Sequence, residues 1–390
     1  MADEVKQRKI EHVNIALTQD VAAPQQANWS DVHLVHQALP EVDLEEIDTS
    51  VTFLGRRLRY PIFMSSLTGG HPDVLTINHN LARAAEHYDV ALGVGSQRAA
   101  IVNPALTASY SIVRESAPNA FLIANIGAPQ LIAQAQHTPF TLAQVQEAIR
   151  MIQANALAVH MNSLQEAVQP EGDRRAQGEV AALRRLTSQI ELPVISKETG
   201  AGVSREQALL LRACGAAAID IGGAGGSSMS AIEGARAQQQ GLEQSQSIGN
   251  VFRDWGIATP ISLIEAGIAN LPLISTGGMR SGLDAARALA LGATLVGFGL
   301  PFLQAASKGY DELRAVMDEI IAQLKVAMQL SGASTIAQLR STDVVVTGQT
   351  HEWLTLRGFE DQLKGMAQRR WRQLLESGET QTQLYPPCVP

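Results

Sequence analysis

The chain has 390 residues, 45% of them hydrophobic, and a formal net charge of −8. That composition belongs to a globular chain, not to a disordered or membrane-embedded one. The acidic balance excludes a general nucleic-acid binder, which needs a basic face.

The N-terminus, MADEVKQRKIEHV, is charged and lacks the apolar stretch of a secretory signal. Residues 1–60 read as an N-terminal arm that ends in a hairpin, VTFLGRRLRYPIF. The adjacent Arg8 and Lys9 read, on composition alone, as surface charge, and nothing in the spacing brings the arm near an active site. Eight short apolar runs follow, each closing in polar or glycine residues: 61–67, 90–95, 121–127, 156–162, 193–198, 217–223, 271–278 and 294–300. Runs apolar on both faces are what parallel strands covered by helices require. The stretches INHNLARAAEHY, REQALLLRAC and SGLDAARALALG repeat apolar residues every three or four positions, as amphipathic helices do. Eight strand–helix units point to an α/β fold, a TIM (β/α)8 barrel over 61–358. The alternative, an open doubly wound sheet, would be unusually long with eight even units.

The connection from about 224 to 260, with GGAGGSSMS and GARAQQQGLEQSQSIGN, reads as a long loop, either a lid or a linker. Beyond about 311 two or three amphipathic helices are expected, with QRRWR as a solvated helix face and 359–390 as a C-terminal extension. The most apolar window, TLVGFGLPFL, reaches about half of the roughly 18 residues a membrane span needs. No membrane partner is expected. The two cysteines, Cys214 and Cys388, make neither a disulfide framework nor a CxxC metal site, which fits a reducing cytoplasm.

Barrels of this class carry their sites at the C-terminal ends of the strands. Those ends supply Ser65, Thr68, Ser96, Gln97, Arg98, Asn125, His160, Asn162, Lys197, Glu198, Ser227, Gly277, Gly278, Arg280 and Gly299. Polar groups on every strand end suit a large ligand with several parts. STGGMRSG, 275–282, frees backbone N–H groups at the start of a helix and adds Arg280, an anion-binding arrangement. GFGLP after strand eight adds small residues at the position where barrels commonly hold phosphate. GSQRAA suggests a second anion site at Arg98. Lys197, alone in an apolar strand, could form a Schiff base, offset charge on a cofactor, or pair with Glu198. HMNSLQE, 160–166, crowds His160, Asn162, Gln165 and Glu166 beyond the apolar ALAV. A glutamine has no acid or base of its own and needs a charged partner to matter in chemistry.

Taken in order, RKIEH, MSSLTGG, GSQR, HMNSLQE, SKETG and STGGMRSG resemble the type 2 isopentenyl-diphosphate isomerases, from about residue 6 to about 358. Those are FMN-dependent TIM-barrel enzymes that interconvert isopentenyl and dimethylallyl diphosphate with reduced flavin, Mg2+ and NADPH as reductant. The resemblance implies FMN contacts from Ser65, Ser66, Leu67, Thr68, Ser96, Asn125, Lys197 and Ser227. It implies FMN-phosphate contacts from Gly277, Gly278, Met279, Arg280, Gly299 and Leu300. It assigns the substrate diphosphate to Arg8, Lys9, Ser96, Gln97, Arg98, His160 and Asn162, places Gln165 at the reacting carbons, and gives Mg2+ to Glu166. Gln165 and His160 are the expected catalytic pair. It further implies a cytoplasmic homo-oligomer, a tetramer or octamer. Met161, Leu67, Ser227 and Gly299 stand where Leu, Met, Thr and Ala are usual. Two other functions compete: an FMN barrel oxidising 2-hydroxy acids, which would want a histidine base beside an arginine near strand seven, and a non-catalytic flavin-binding barrel.

Overall fold

The computed structural model describes residues 2–23, 27–370 and 372–373. Eight parallel strands close into a barrel in chain order: Ile62–Met64, Ala91–Gly93, Phe121–Gly127, Ala156–Met161, Val194–Glu198, Ala218–Asp220, Leu273–Thr276 and Leu295–Phe298, the last pairing with the first. Every strand falls inside an apolar run of the sequence. Alternate side chains divide the strands between two cores. Phe63, Ala91, Phe121, Ile123, Ala158, Ile195, Ile274 and Leu295 fill the barrel, while Ile62, Leu92, Leu122, Leu157, Val194 and Leu273 face the surrounding helices.

The hairpin expected in the arm forms from Val51–Phe53 and Arg56–Leu58. Leu54 and Gly55 turn it with positive φ (45° and 84°). It plugs the N-terminal end of the barrel. Val51, Phe53 and Leu58 join the interior cluster, and the Phe53 ring meets Phe121 edge-on at 5.7 Å. One end of the barrel is thereby sealed with apolar side chains, and the opposite end is left for chemistry.

Several expectations require correction. The arm begins with a helix, Ala2–Thr18, and this helix lies against the barrel mouth, where His12, Val13 and Ala16 line the cavity. Its Ile15 packs with Val21 and Ile232. The stretch 224–260 is no bare loop: it holds helices Met229–Gln239, Glu243–Val251 and the start of Thr259–Ala266. Past residue 309 the described residues hold the helices Tyr310–Leu330, Ile336–Arg340, Gly348–Leu356 and Glu360–Met366. A short strand, Val344–Val346, also pairs antiparallel with Val32–Leu34. QRRWR is only in part a solvated face: Gln368 and Arg372 are exposed, while Arg369 and Arg370 are half-buried. Arg369 donates to the carbonyls of Ala290 and Thr342, and Arg370 to that of Ser331. Trp371 and the part of the expected extension from 374 onward, Cys388 included, lie outside the described residues. Among the described residues no helix is long and apolar enough to cross a membrane.

Candidate active site

A cavity opens at the C-terminal ends of the strands, under the N-terminal helix and beside Met229 and Ile232. Strand four builds its most polar wall. Ala156–Val159 are buried, and the chain leaves extended geometry at Asn162 to start the short helix Ser163–Val168. Positions three and four apart on that turn share a face, so Asn162, Gln165 and Glu166 point together into the cavity. Asn162 Nδ2 donates to Gln165 Oε1 at 3.2 Å and to Glu166 Oε1 at 2.9 Å. Gln165 Nε2 donates to Glu233 Oε1 at 2.9 Å. Both ends of the glutamine amide are therefore held, and its charged partner is Glu233, from the helix Met229–Gln239.

Glu233 is fully buried and also contacts His12 Nε2 at 2.9 Å and Arg236 Nη1 at 2.7 Å. Burial alone would raise its pKa. The His12 and Arg236 charges, with the Gln165 hydrogen bond, outweigh that and bring it down to about 2. Arg236 in turn reaches Glu11 at 3.0 Å and Glu171 at 2.8 Å. The N-terminal helix is thus tied to Gln165 through ionic contacts.

His160 meets Asn125 Oδ1 through Nδ1 at 2.8 Å, and Asn125 Nδ2 donates to the Val94 carbonyl at 3.0 Å. Since that amide oxygen accepts, the imidazole proton on this side belongs to Nδ1. Gln97, expected on the diphosphate, does not line the cavity. It is fully buried, accepts from Asn125 N at 2.9 Å and donates to the Ala148 carbonyl at 2.8 Å. It braces Asn125 from behind. Thr68 is likewise turned away, donating to Asn78. Arg98 does line the cavity, with Nη1 at 2.5 Å from Asp173 Oδ2. The side chains of Arg8 and Lys9 lie outside the described residues.

Lys197 does not pair with the Glu198 carboxylate. Its Nζ lies 2.8 Å from Asp220 Oδ2, on the facing strand at the same register, and Asp220 also accepts from Thr276. Glu198 instead accepts backbone N–H groups from Gly200, Ala201 and Gly202. An ion-paired lysine is engaged as a cation and is not presented as a free amine, which argues against the Schiff-base reading. Asp220 was missed in the sequence, although an aspartate inside AAIDIGG, level with Lys197, was the available signal. Glu233 and Asp173 were missed as well. They become relevant through partners far along the chain, Gln165 and Arg98.

The residues fit a flavin phosphate and ring. Ser65, Ser66, Leu67, Ser96, Asn125, Lys197, Ser227, Met279, Arg280, Gly299 and Leu300 all line the cavity. Ser65 Oγ and Ser66 Oγ are buried there without a hydrogen-bond partner, and such groups call for a polar ligand. Gly277 and Gly278 have φ of 111° and 69°. A Cβ on Gly277 would sit 2.1 Å from the Gly223 carbonyl, so only glycine lets this turn close at the head of the helix Gly282–Ala290. Among the described residues Glu166 is the one carboxylate lining the cavity, and no group of three or more His, Cys, Asp or Glu converges on a metal.

A barrel closed at one end, with a glycine cradle after strand seven and unpartnered serines after strand one, defines a phosphate- and cofactor-binding TIM-barrel enzyme. The model of the FMN-dependent dehydrogenases matches residues 110–346. The isopentenyl-diphosphate delta-isomerase of Methanosarcina mazei is 46% identical over 92% of this chain and 97% of its own length. That of Methanothermobacter thermautotrophicus is 44% identical over 91% and 97%. The chain belongs to the isopentenyl-diphosphate delta-isomerase family, in its FMN-dependent type. In fold it also matches a structure assigned as a lactate oxidase of Pediococcus acidilactici, with a TM-score of 0.63 at 16% identity, over 89% of this chain and 94% of that one.

Proposed function

We propose that the protein binds FMN and Mg2+ and interconverts isopentenyl and dimethylallyl diphosphate, with NADPH reducing the flavin, as a cytoplasmic homo-oligomer of four or eight copies. The observation that carries this reading is the wall built by Asn162, Gln165 and Glu166 beside Arg98, across the barrel from the Gly277–Gly278 cradle. A 2-hydroxy-acid oxidase would need a histidine beside Arg280. The cavity-lining histidines are His12 and His160, neither on the strand-seven loop.

On this reading Gly277, Gly278, Met279, Arg280, Gly299 and Leu300 take the FMN phosphate at a helix N-terminus. Ser65, Ser66, Leu67, Ser96, Asn125 and Ser227 hold the ring and ribityl chain. Reduced FMN, when bound, supplies an electron-rich ring and a site for the migrating proton that side chains here lack. Lys197, fixed by Asp220, offsets negative charge at the ring. Arg98, Ser96, His160, Asn162 and, from the arm, Arg8 and Lys9 surround the diphosphate, which needs several cationic donors. Glu166 would offer Mg2+ one carboxylate, and the ion would offset charge on the diphosphate. Gln165 is locked by Asn162 and Glu233 and orients at the reacting carbons. The helix Ala2–Thr18 keeps water from the positive charge that protonation of an alkene creates.

The test is an anaerobic assay of the purified protein with isopentenyl diphosphate, Mg2+ and NADPH, alongside its visible spectrum. Bound flavin and formation of dimethylallyl diphosphate are expected. A colourless protein that still isomerises would sink the flavin role, and consumption of a 2-hydroxy acid instead would favour the oxidase.

A further inference from the structure

Arg98 is not simply presented to the cavity. Its Nη1 is 2.5 Å from Asp173 Oδ2, and the two side chains are only 19% and 10% exposed. The other carboxylate oxygen, Asp173 Oδ1, lies 2.9 Å from His137 Nε2. The backbone N–H of the same residue donates to Glu166 Oε2 at 2.7 Å. Asp173 thus touches the loops after strands two, three and four at once. A second clasp runs alongside: Gln134 Nε2 donates to the Arg175 carbonyl at 2.8 Å, and Arg175 N donates to Gln134 Oε1 at 3.1 Å. The loop can press this close because residue 172 is glycine. A Cβ there would meet the Glu166 carbonyl oxygen at 1.9 Å.

We infer that Asp173 is a positioning residue for diphosphate binding: it fixes the Arg98 guanidinium, and its backbone fixes the Glu166 carboxylate, before the ligand arrives. This rests on the reading of Arg98 and Glu166 as diphosphate and metal ligands. An arginine loses much of its rotamer freedom when it is held still. Asp173 takes that ordering away from the binding step, and preorganisation of this kind raises affinity. A carboxylate beside an anion site also repels the anion. His137 on the second oxygen draws some of that negative charge aside. Asp173 engages only one terminal nitrogen, so the rest of the guanidinium fork can turn to the cavity that Arg98 lines. Orientation and repulsion oppose each other, and the inference is that orientation wins.

The experiment is a double-mutant cycle on the full-length, FMN-loaded protein, with inorganic pyrophosphate and Mg2+ as the probe and calorimetry as the readout. Arg98→Ala is expected to weaken pyrophosphate about tenfold or more, and Asp173→Asn about five- to tenfold. In the Arg98→Ala background, Asp173→Asn should add nothing, because its effect passes through Arg98. The KM for isopentenyl diphosphate should rise with Asp173→Asn while kcat moves little, and FMN affinity should stay unchanged. Unchanged or tighter pyrophosphate binding in Asp173→Asn overturns the inference, since repulsion then dominates. Additive losses overturn it too, because the loop then acts independently of Arg98. If Arg98→Ala alone leaves binding intact, the diphosphate reading of Arg98 falls and the inference falls with it. Should Asp173→Asn not retain flavin, Asp173→Glu keeps the charge, displaces it by one methylene, and should show the same dependence on Arg98.

Discussion

Gln165 is neutral, yet the protein fixes both ends of its amide, one on Asn162 and the other on the buried Glu233. Gln165→Ala should cut turnover by about 100-fold, the order lost when a group that orients the reacting atoms is removed, with FMN binding intact. Anaerobic kinetics with flavin titration read both, and full activity would remove Gln165 from the reaction. Glu166→Gln should shift the Mg2+ titration to higher concentration together with a loss of rate, and an unmoved titration would take the metal from this residue. Glu233 makes a separate, pH-dependent contribution. Its folded pKa, about 2, lies below the ordinary 4.5. The stability it adds is therefore complete above about pH 4.5 and lost as pH falls toward 2, on the order of 3 kcal/mol in all. Thermal melts of wild type and Glu233→Gln between pH 6 and pH 2 should differ most at the upper end and converge at the lower. A gap that does not narrow would mean that Glu233 is not held ionised by its partners.

At the scale of elements, the strand-seven turn makes the strongest local demand. Gly277→Ala places a Cβ against the Gly223 carbonyl in a backbone conformation that costs a side chain roughly 1–2 kcal/mol before any clash. FMN affinity, followed by flavin fluorescence, should fall more than about tenfold with far-UV circular dichroism unchanged. Wild-type affinity would mean that the phosphate is held elsewhere. This turn was legible in the sequence because glycine with φ above zero leaves its mark in STGGMRSG. The eight strands were legible for a related reason: burial on both faces writes an uninterrupted apolar run. The hairpin showed itself by alternation around Leu54–Gly55. Other features had no local mark. The helix Ala2–Thr18 is rich in charge, and its few apolar positions do not say which surface they cover. Val344–Val346 is three residues long. The contacts that orient the site pair residues distant in the chain, Arg98 with Asp173 and Gln165 with Glu233, 75 and 68 positions apart. Periodicity carries no information across such distances. Lys197 and Asp220 are only 23 apart but become neighbours through strand register, which is a property of the closed barrel.

On the scale of the whole molecule, one buried carboxylate ties the end of the helix Gly348–Leu356 to the barrel wall, beside the contact of Arg369 with Ala290. Glu265, on the helix Thr259–Ala266, is fully buried. Its oxygens take Arg357 Nε at 3.0 Å and Nη2 at 3.1 Å, Trp353 Nε1 at 3.0 Å and the Arg205 backbone N–H at 2.9 Å. Burial would raise its pKa, and the Arg357 hydrogen bond with the other donors reverses that and holds it low. Arg357 also reaches the exposed Glu206 at 2.6 Å, a contact open to solvent that adds little. A buried ion pair contributes little net stability, yet removing one partner leaves a charge stranded, at about 3–5 kcal/mol for a fully buried pair. Arg357 is one-third exposed, so water can reach part of the gap, and about 2–3 kcal/mol is the better figure for Arg357→Ala. The melting temperature should drop by several degrees, while flavin content and KM in the folded fraction stay as they were, because Glu265 lies outside the cavity. Arg357→Met combined with Glu265→Leu removes both charges and should recover most of the loss. A double variant as unstable as Arg357→Ala would show that the tie depends on packing by the arginine stem and not on the stranded carboxylate.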